Sequence, residues 1–165
     1  MPLAIFPITE SQARVASAWQ YAAPYSMYDG DPAEWPRYLQ PGYRYHAVLD
    51  DDELIGHCCF GEDARVRGGR YFDDTLDVGA GMRPDLVGKG QGRAFLTAIL
   101  DFGRARYAAR SFSTTVAAFN HRALALCRSV GFVDVETFTS HGDEPQAFVI
   151  LRCNGDRLAY SSGPR

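Results

Sequence analysis

The sequence predicts a mixed α/β single domain, on three observations. Strand and helix patterns alternate along the chain in the order β-α-α-β-β-β-α-β-α-β-β. A length of 165 residues fits one domain and leaves little room for two. Alternating glycines, Gly88-Lys89-Gly90-Gln91-Gly92, join a strand to a long helix.

Residues 3–8 alternate as a first strand, and Thr9 or Ser11 can cap a helix over 11–22 that Pro24 ends. Residues 24–45 carry Tyr25, Tyr28, Trp35, Tyr38, Tyr43 and Tyr45, with a short helix from Asp31-Pro32 to Gln40. Strands over 43–49 and 53–60 flank the turn Asp50-Asp51-Asp52 and form a hairpin. After a polar loop over 61–71, a strand covers 75–83. The glycine turn then feeds a helix reaching Ala109, with Phe95, Ile99, Phe102 and Arg106 at helical spacing. A strand over 111–118 leads to Asn120, which caps a helix to Val130, and Gly131 suits its C-terminal stop. Strands over 132–140 and 146–153 precede a polar tail from Asn154, expected to fray.

Composition narrows the function. No apolar run is long enough to span a membrane, and the N-terminus lacks the basic stretch of a secretory signal. The cysteines Cys58, Cys59, Cys127 and Cys153 form no CxxC pair, which points to free thiols in a cytoplasmic protein with no metal site. Residues 1–82 hold 13 acidic and 6 basic residues; residues 83–165 hold 7 and 11. A net charge of −3 argues against nucleic acid as a partner. A basic second half suits a compact phosphorylated cofactor. Lys89, the one lysine, sits inside the glycine cluster.

That cluster reads as a pyrophosphate cradle. Small residues let successive backbone N–H groups converge, the following helix N-terminus adds partial positive charge, and Lys89 and Arg93 add full charges. A Walker loop would need Gly at 83 and Ser or Thr at 90, where Arg83 and Gly90 stand. The dinucleotide pattern GxGxxG fails at Arg93 or Phe95, and no GxSxG occurs.

The segment Val87-Gly88-Lys89-Gly90-Gln91-Gly92 after Arg83-Pro84 resembles motif A of the GCN5-related N-acetyltransferase (GNAT) superfamily. Asn120 through Gly131-Phe132 resembles a second motif of that superfamily, and the two cover 72–133. The resemblance implies a mostly antiparallel sheet of about seven strands with one splayed parallel pair, flanked by about four helices. It implies acetyl-CoA as co-substrate and a primary amine as acceptor, a small molecule or peptide attacked directly in a ternary complex. By carry-over, Gly81, Met82 and Arg83 meet the pantetheine arm, an N–H near Gly81 or Met82 polarises the thioester carbonyl, and Gly79 and Gly81 keep the cleft floor clear beside a β-bulge. Residues 87–93 (Val87, Gly88, Lys89, Gly90, Gln91, Gly92, Arg93) hold the pyrophosphate, and Asn120 touches the arm.

Asp77 stands where family members often carry Glu and is the expected base; Glu62, Asp73, Asp74 and water are alternatives, and His57 is placed to face the cleft. Two departures stand out. Val87 replaces the usual Arg or Gln, for which Arg83, Lys89 or Arg93 can compensate, and Cys127 replaces a Tyr that often serves as general acid. Both leave open a CoA-binding regulatory or degenerate domain without turnover. An aromatic, acidic rim drawn from residues 24–45 and 134–147 suits a cationic acceptor. Nothing in the sequence chooses between a monomer and a homodimer.

Overall fold

The computed structural model describes residues 2–154. The tail expected from Asn154 lies, beyond that residue, outside the described residues; Asn154 itself ends the last strand.

Among the described residues seven strands form one sheet: β1 (Ala4–Pro7), β2 (His46–Asp50), β3 (Glu53–Phe60), β4 (Leu76–Met82), β5 (Ser111–Ala117), β6 (Val133–Thr139) and β7 (Ala147–Asn154). Their spatial order is β1-β2-β3-β4-β5-β7-β6. Every neighbouring pair is antiparallel except β4 and β5. Three α-helices, α1 (Glu10–Ser17), α2 (Gly92–Tyr107) and α3 (His121–Ser129), and a long 3-10 segment, Pro32–Leu39, are the four expected helices. None is long and apolar enough to cross a membrane among the described residues.

Local chemistry explains most boundaries. Thr9 caps α1 in a reciprocal box with Gln12. The helix stops well short of the expected residue 22 because the chain beyond it is claimed from outside. Gly30 N donates to Trp19 O at 3.0 Å, Asp29 Oδ1 accepts from Tyr21 N at 2.6 Å, and a Cβ on Gly30 would lie 2.1 Å from Ser17 O. Pro36 lies inside the second segment and cannot donate in an α-helical ladder, which favours the tighter winding there. Asp51 and Asp52 both take positive φ (46° and 66°), the geometry that a two-residue hairpin loop requires.

Helix α2 buries Phe95, Leu96, Ile99 and Leu100, and α3 buries Leu124 and Cys127, against Phe60, Val78 and Phe112 of the sheet. Each large apolar side chain so buried contributes about 1.5–3 kcal/mol. Gly103 lets α2 settle close, since a Cβ there would meet Phe112 at 2.8 Å and Phe60 at 2.9 Å. This packing fixes the start of α2 beside the end of β4.

Candidate active site

The parallel pair β4–β5 is joined at only two positions, Leu76↔Phe112 and Asp77↔Ser113. Past Asp77 the strands part. Gly61 N donates to Asp77 O and Arg83 N donates to Ile55 O, both at 2.8 Å, so residues 77, 79, 81 and 83 turn their backbone groups toward β3. Val78, Ala80 and Met82 therefore turn theirs into the gap. Thr114 Oγ1 donates to Val78 O at 2.9 Å, and the Tyr21 hydroxyl donates to Met82 O at 2.7 Å. The N–H of Met82 is thus the cleft-facing donor of the two expected, and that of Gly81 is on the β3 side.

The gap widens into a cleft of about 780 Å³, a size typical of ligand sites. Its phosphate end is the glycine loop. Gly88 and Gly90 take positive φ (77° and 81°), and a Cβ on Gly90 would meet nothing within 4 Å, so the space above it is open. Gln91, at the N-cap of α2, makes no side-chain capping bond, which leaves the first-turn N–H groups available to an anion.

A family model described as the acetyltransferase (GNAT) family matches residues 12–132. The chain belongs to the GNAT acetyltransferase family. By that membership it is an acyltransferase. Solved GNAT structures share the fold at low identity. A spermidine N-acetyltransferase chimera of Vibrio cholerae and hSSAT sequence superposes with a TM-score of 0.73 at 16% identity, covering 96% of this chain and 99% of that one. A GNAT-family acetyltransferase from Bacillus anthracis gives 0.72 at 15% identity, covering 94% and 96%. A dodecameric spermidine N-acetyltransferase from Vibrio cholerae gives 0.70 at 17%, covering 98% of each. No curated protein matches the sequence.

Of the expected cofactor residues of this GNAT chain, Gly81, Met82, Val87, Gly88, Gly90, Gly92, Arg93 and Asn120 line the cleft; Arg83, Lys89 and Gln91 do not. Arg83 is committed elsewhere, to Asp85 at 2.6 Å, Glu53 at 2.7 Å and Leu54 O at 3.1 Å, so it does not make up for Val87. Lys89 is exposed at the loop tip. Asn120 Oδ1 caps α3 at Ala123 N, and its Nδ2 donates to the Tyr28 hydroxyl at 3.2 Å. Gly79 and Gly81 both line the cleft and also make room for side chains from β3. A Cβ on Gly81 would lie 2.6 Å from His57 Nε2, and one on Gly79 would lie 3.1 Å from Cys59 Sγ. The β3–β4 register runs without the expected bulge.

Asp77 is buried below the splay and does not line the cleft. Its carboxylate accepts from Arg65 Nε at 2.6 Å and from the Ser113 hydroxyl. That placement corrects the expectation of a carboxylate facing the acceptor. Cys127 does line the cleft, but burial pushes its thiol up to about 11, so it is not matched in acidity to a leaving thiolate. The expected acidic rim is reduced to one cleft-lining carboxylate, Asp29, among Tyr21, Tyr25, Tyr28 and Tyr38; nothing from 134–147 reaches it.

His57 lines the cleft as expected, packed by the rings of Trp19 (5.8 Å), Tyr38 (5.4 Å) and Tyr45 (6.0 Å). Burial lowers its pKa to about 4, so the imidazole is neutral at pH 7, and its Nδ1 is buried without a hydrogen-bond partner. Arg122 and Tyr21 are among the lining residues that the sequence reading did not single out. Arg122, on the first turn of α3, lies over the Tyr25 ring at 4.5 Å and brings Nη1 to 2.8 Å from where a Cβ on Gly88 would sit. Its position two residues past the Asn120 cap was the available signal. Tyr21 had none, because only the fold brings it to Met82.

Proposed function

We propose that the protein is a cytoplasmic, acetyl-CoA-dependent N-acetyltransferase that passes an acetyl group to a primary amine by direct attack, with both substrates bound together. The observation that carries this reading is the splay past Asp77 and Ser113, which aims the N–H of Ala80 and Met82 into a cleft ending at the glycine loop. Unpaired backbone donors in a sheet interior are costly unless a ligand meets them. The residues fit the co-substrate. Gly88, Gly90, the first turn of α2, Arg93 and Arg122 would hold the pyrophosphate, and Ala80, Met82 and Asn120 the arm.

Acetyl-CoA supplies an activated acetyl thioester. Met82 N–H donates a hydrogen bond where negative charge develops on the carbonyl oxygen. The Tyr21 hydroxyl holds the Met82 peptide in place. Tyr21 and Tyr38 line the cleft, where aromatic rings suit a cationic amine. Asp29 is the cleft-lining carboxylate placed to take the amine's proton, directly or through water, while burial disfavours a proton on His57. Asp77 serves from below as a positioning residue, locking Arg65 and Ser113 at the fork of the strands. The spermidine N-acetyltransferases among the structural neighbours support an amine acceptor. The dodecameric neighbour supports self-association, for which edge strand β6 offers exposed Val133 and Val135. The buried thiols of Cys58, Cys59 and Cys127, which form no disulfide, support a reducing compartment.

Thiol release from acetyl-CoA across a panel of amines tests the activity. CoA binding without release from any amine would instead favour a binding domain without turnover. Gly90→Asp, which puts a carboxylate in the open space above the loop, should weaken CoA binding by about tenfold or more in calorimetry; unchanged affinity in the folded variant would place the cofactor elsewhere.

A further inference from the structure

A second cavity, of about 540 Å³, lies between Arg37 and Tyr43 on one side and the loop over 62–71 on the other. No residue lines both it and the cofactor cleft. The two linings touch. The Tyr71 hydroxyl meets Thr115 Oγ1 of the cleft lining at 2.9 Å, and Ala64 Cβ lies 3.4 Å from where a Cβ on Gly79 would sit.

Three arginines converge on this cavity, Arg37, Arg65 and Arg67. Arg37 spends Nε and Nη2 on Asp63, and Arg65 spends Nε on Asp77. Among the described residues the Arg37 Nη1, both terminal nitrogens of Arg65 and the whole Arg67 guanidinium have no hydrogen-bond partner. Two of these side chains pack over aromatic rings. Arg65 lies over the Tyr71 ring at 5.2 Å and Arg37 over the Tyr43 ring at 5.4 Å, and both rings line the cavity. The loop that carries Arg65 and Arg67 is pinned at several points. Val66 N donates to the Tyr71 hydroxyl at 2.7 Å, and His141 N donates to Arg67 O at 3.0 Å. Glu62 also lines the cavity and has no ion pair among the described residues.

We propose that this cavity is a second ligand site, for a small carboxylate. Planar guanidinium groups with spare donors match a carboxylate's two oxygens. Asp63 also lines the cavity but is paired with Arg37; Glu62 accommodates an ammonium group on the same ligand, which makes an amino acid the class that uses the charged groups beyond that pair. A simple polycation would meet three arginines. The site stands whether or not the cleft performs the transfer assigned to it above.

Calorimetry with succinate and with L-glutamate, on protein saturated with CoA so that Arg93 and Arg122 are covered, tests the site. Saturable binding is expected for both, and any spermidine that binds in the cleft should be unaffected by the substitutions that follow. Arg67→Gln removes a guanidinium that makes no ion pair and leaves the fold alone; it should weaken both by about tenfold. Arg65→Lys keeps a cation beside Asp77 and loses the planar donors, and should weaken them similarly. The proposal is overturned by no saturable binding, by affinities that neither substitution changes, or by loss of binding when CoA is added.

Discussion

The Tyr21 hydroxyl donates to the Met82 carbonyl across 61 residues of sequence, at 2.7 Å, on the cleft side of β4. Burial pushes this phenol up to about 12, so it stays protonated and donates throughout the physiological range. Tyr21→Phe keeps the ring and removes the hydrogen bond. The Met82 peptide then loses its restraint, and kcat/KM should fall by about tenfold, the worth of one well-placed hydrogen bond. CoA affinity should hardly change, because the phosphate end is untouched. Steady-state thiol release and calorimetry read the two quantities separately, and equal losses in both would assign Tyr21 to cofactor binding.

Asp77 is predicted to act on stability more than on protons. Asp77→Asn leaves Arg65 without its buried partner. Arg65 is itself partly exposed, so the loss should be about 1–3 kcal/mol, below that of a fully buried pair. A drop in Tm with an unchanged shape of the pH–rate profile is the expected pair of results. A selective loss of turnover on the acidic side would restore Asp77 as the base.

For Cys127, the raised pKa of about 11 means that only about one molecule in ten thousand is thiolate at neutral pH. Cys127→Ala should lower turnover by no more than about tenfold, under the usual range for a general acid. Reaction with iodoacetamide should be slow, and no acetyl group should appear on Cys127 after exposure to acetyl-CoA alone. An acetylated peptide containing Cys127 in a mass spectrum would contradict this and indicate a covalent route.

His57 makes the fold sensitive to acid. Its folded pKa of about 4 lies below the unfolded value of 6.5, so the unfolded chain binds the extra proton between those two pH values. The contribution is fully present above pH ~6.5 and is lost as pH falls toward ~4, by on the order of 3 kcal/mol. His46 is lowered too, by burial, and acts in the same direction. The informative quantity is therefore the difference between the parent and His57→Gln in denaturant melts at several pH values. His57→Gln should flatten the acid limb, and parallel curves would show that His57 is solvated.

The sequence by itself determined the order of elements, the glycine loop and the Asn120 cap. These depend on neighbours a few residues apart: positive φ at Gly88 and Gly90, a capping oxygen three residues before its N–H, and an apolar stripe at helical spacing. The family motifs are legible for the same reason, being contiguous. The tertiary structure alone decided what each charged or polar side chain does. Arg83 looked free beside the cradle and is spent on Glu53 and Asp85; Asp77 looked catalytic and is held by Arg65 and Ser113. Tyr21 and Arg122 looked ordinary and line the cleft. A long side chain reaches several ångströms in directions that its own stretch of sequence does not specify. Its role follows from which distant charges, carbonyls and rings the packing of α2 and the splay of β4 from β5 bring within that reach.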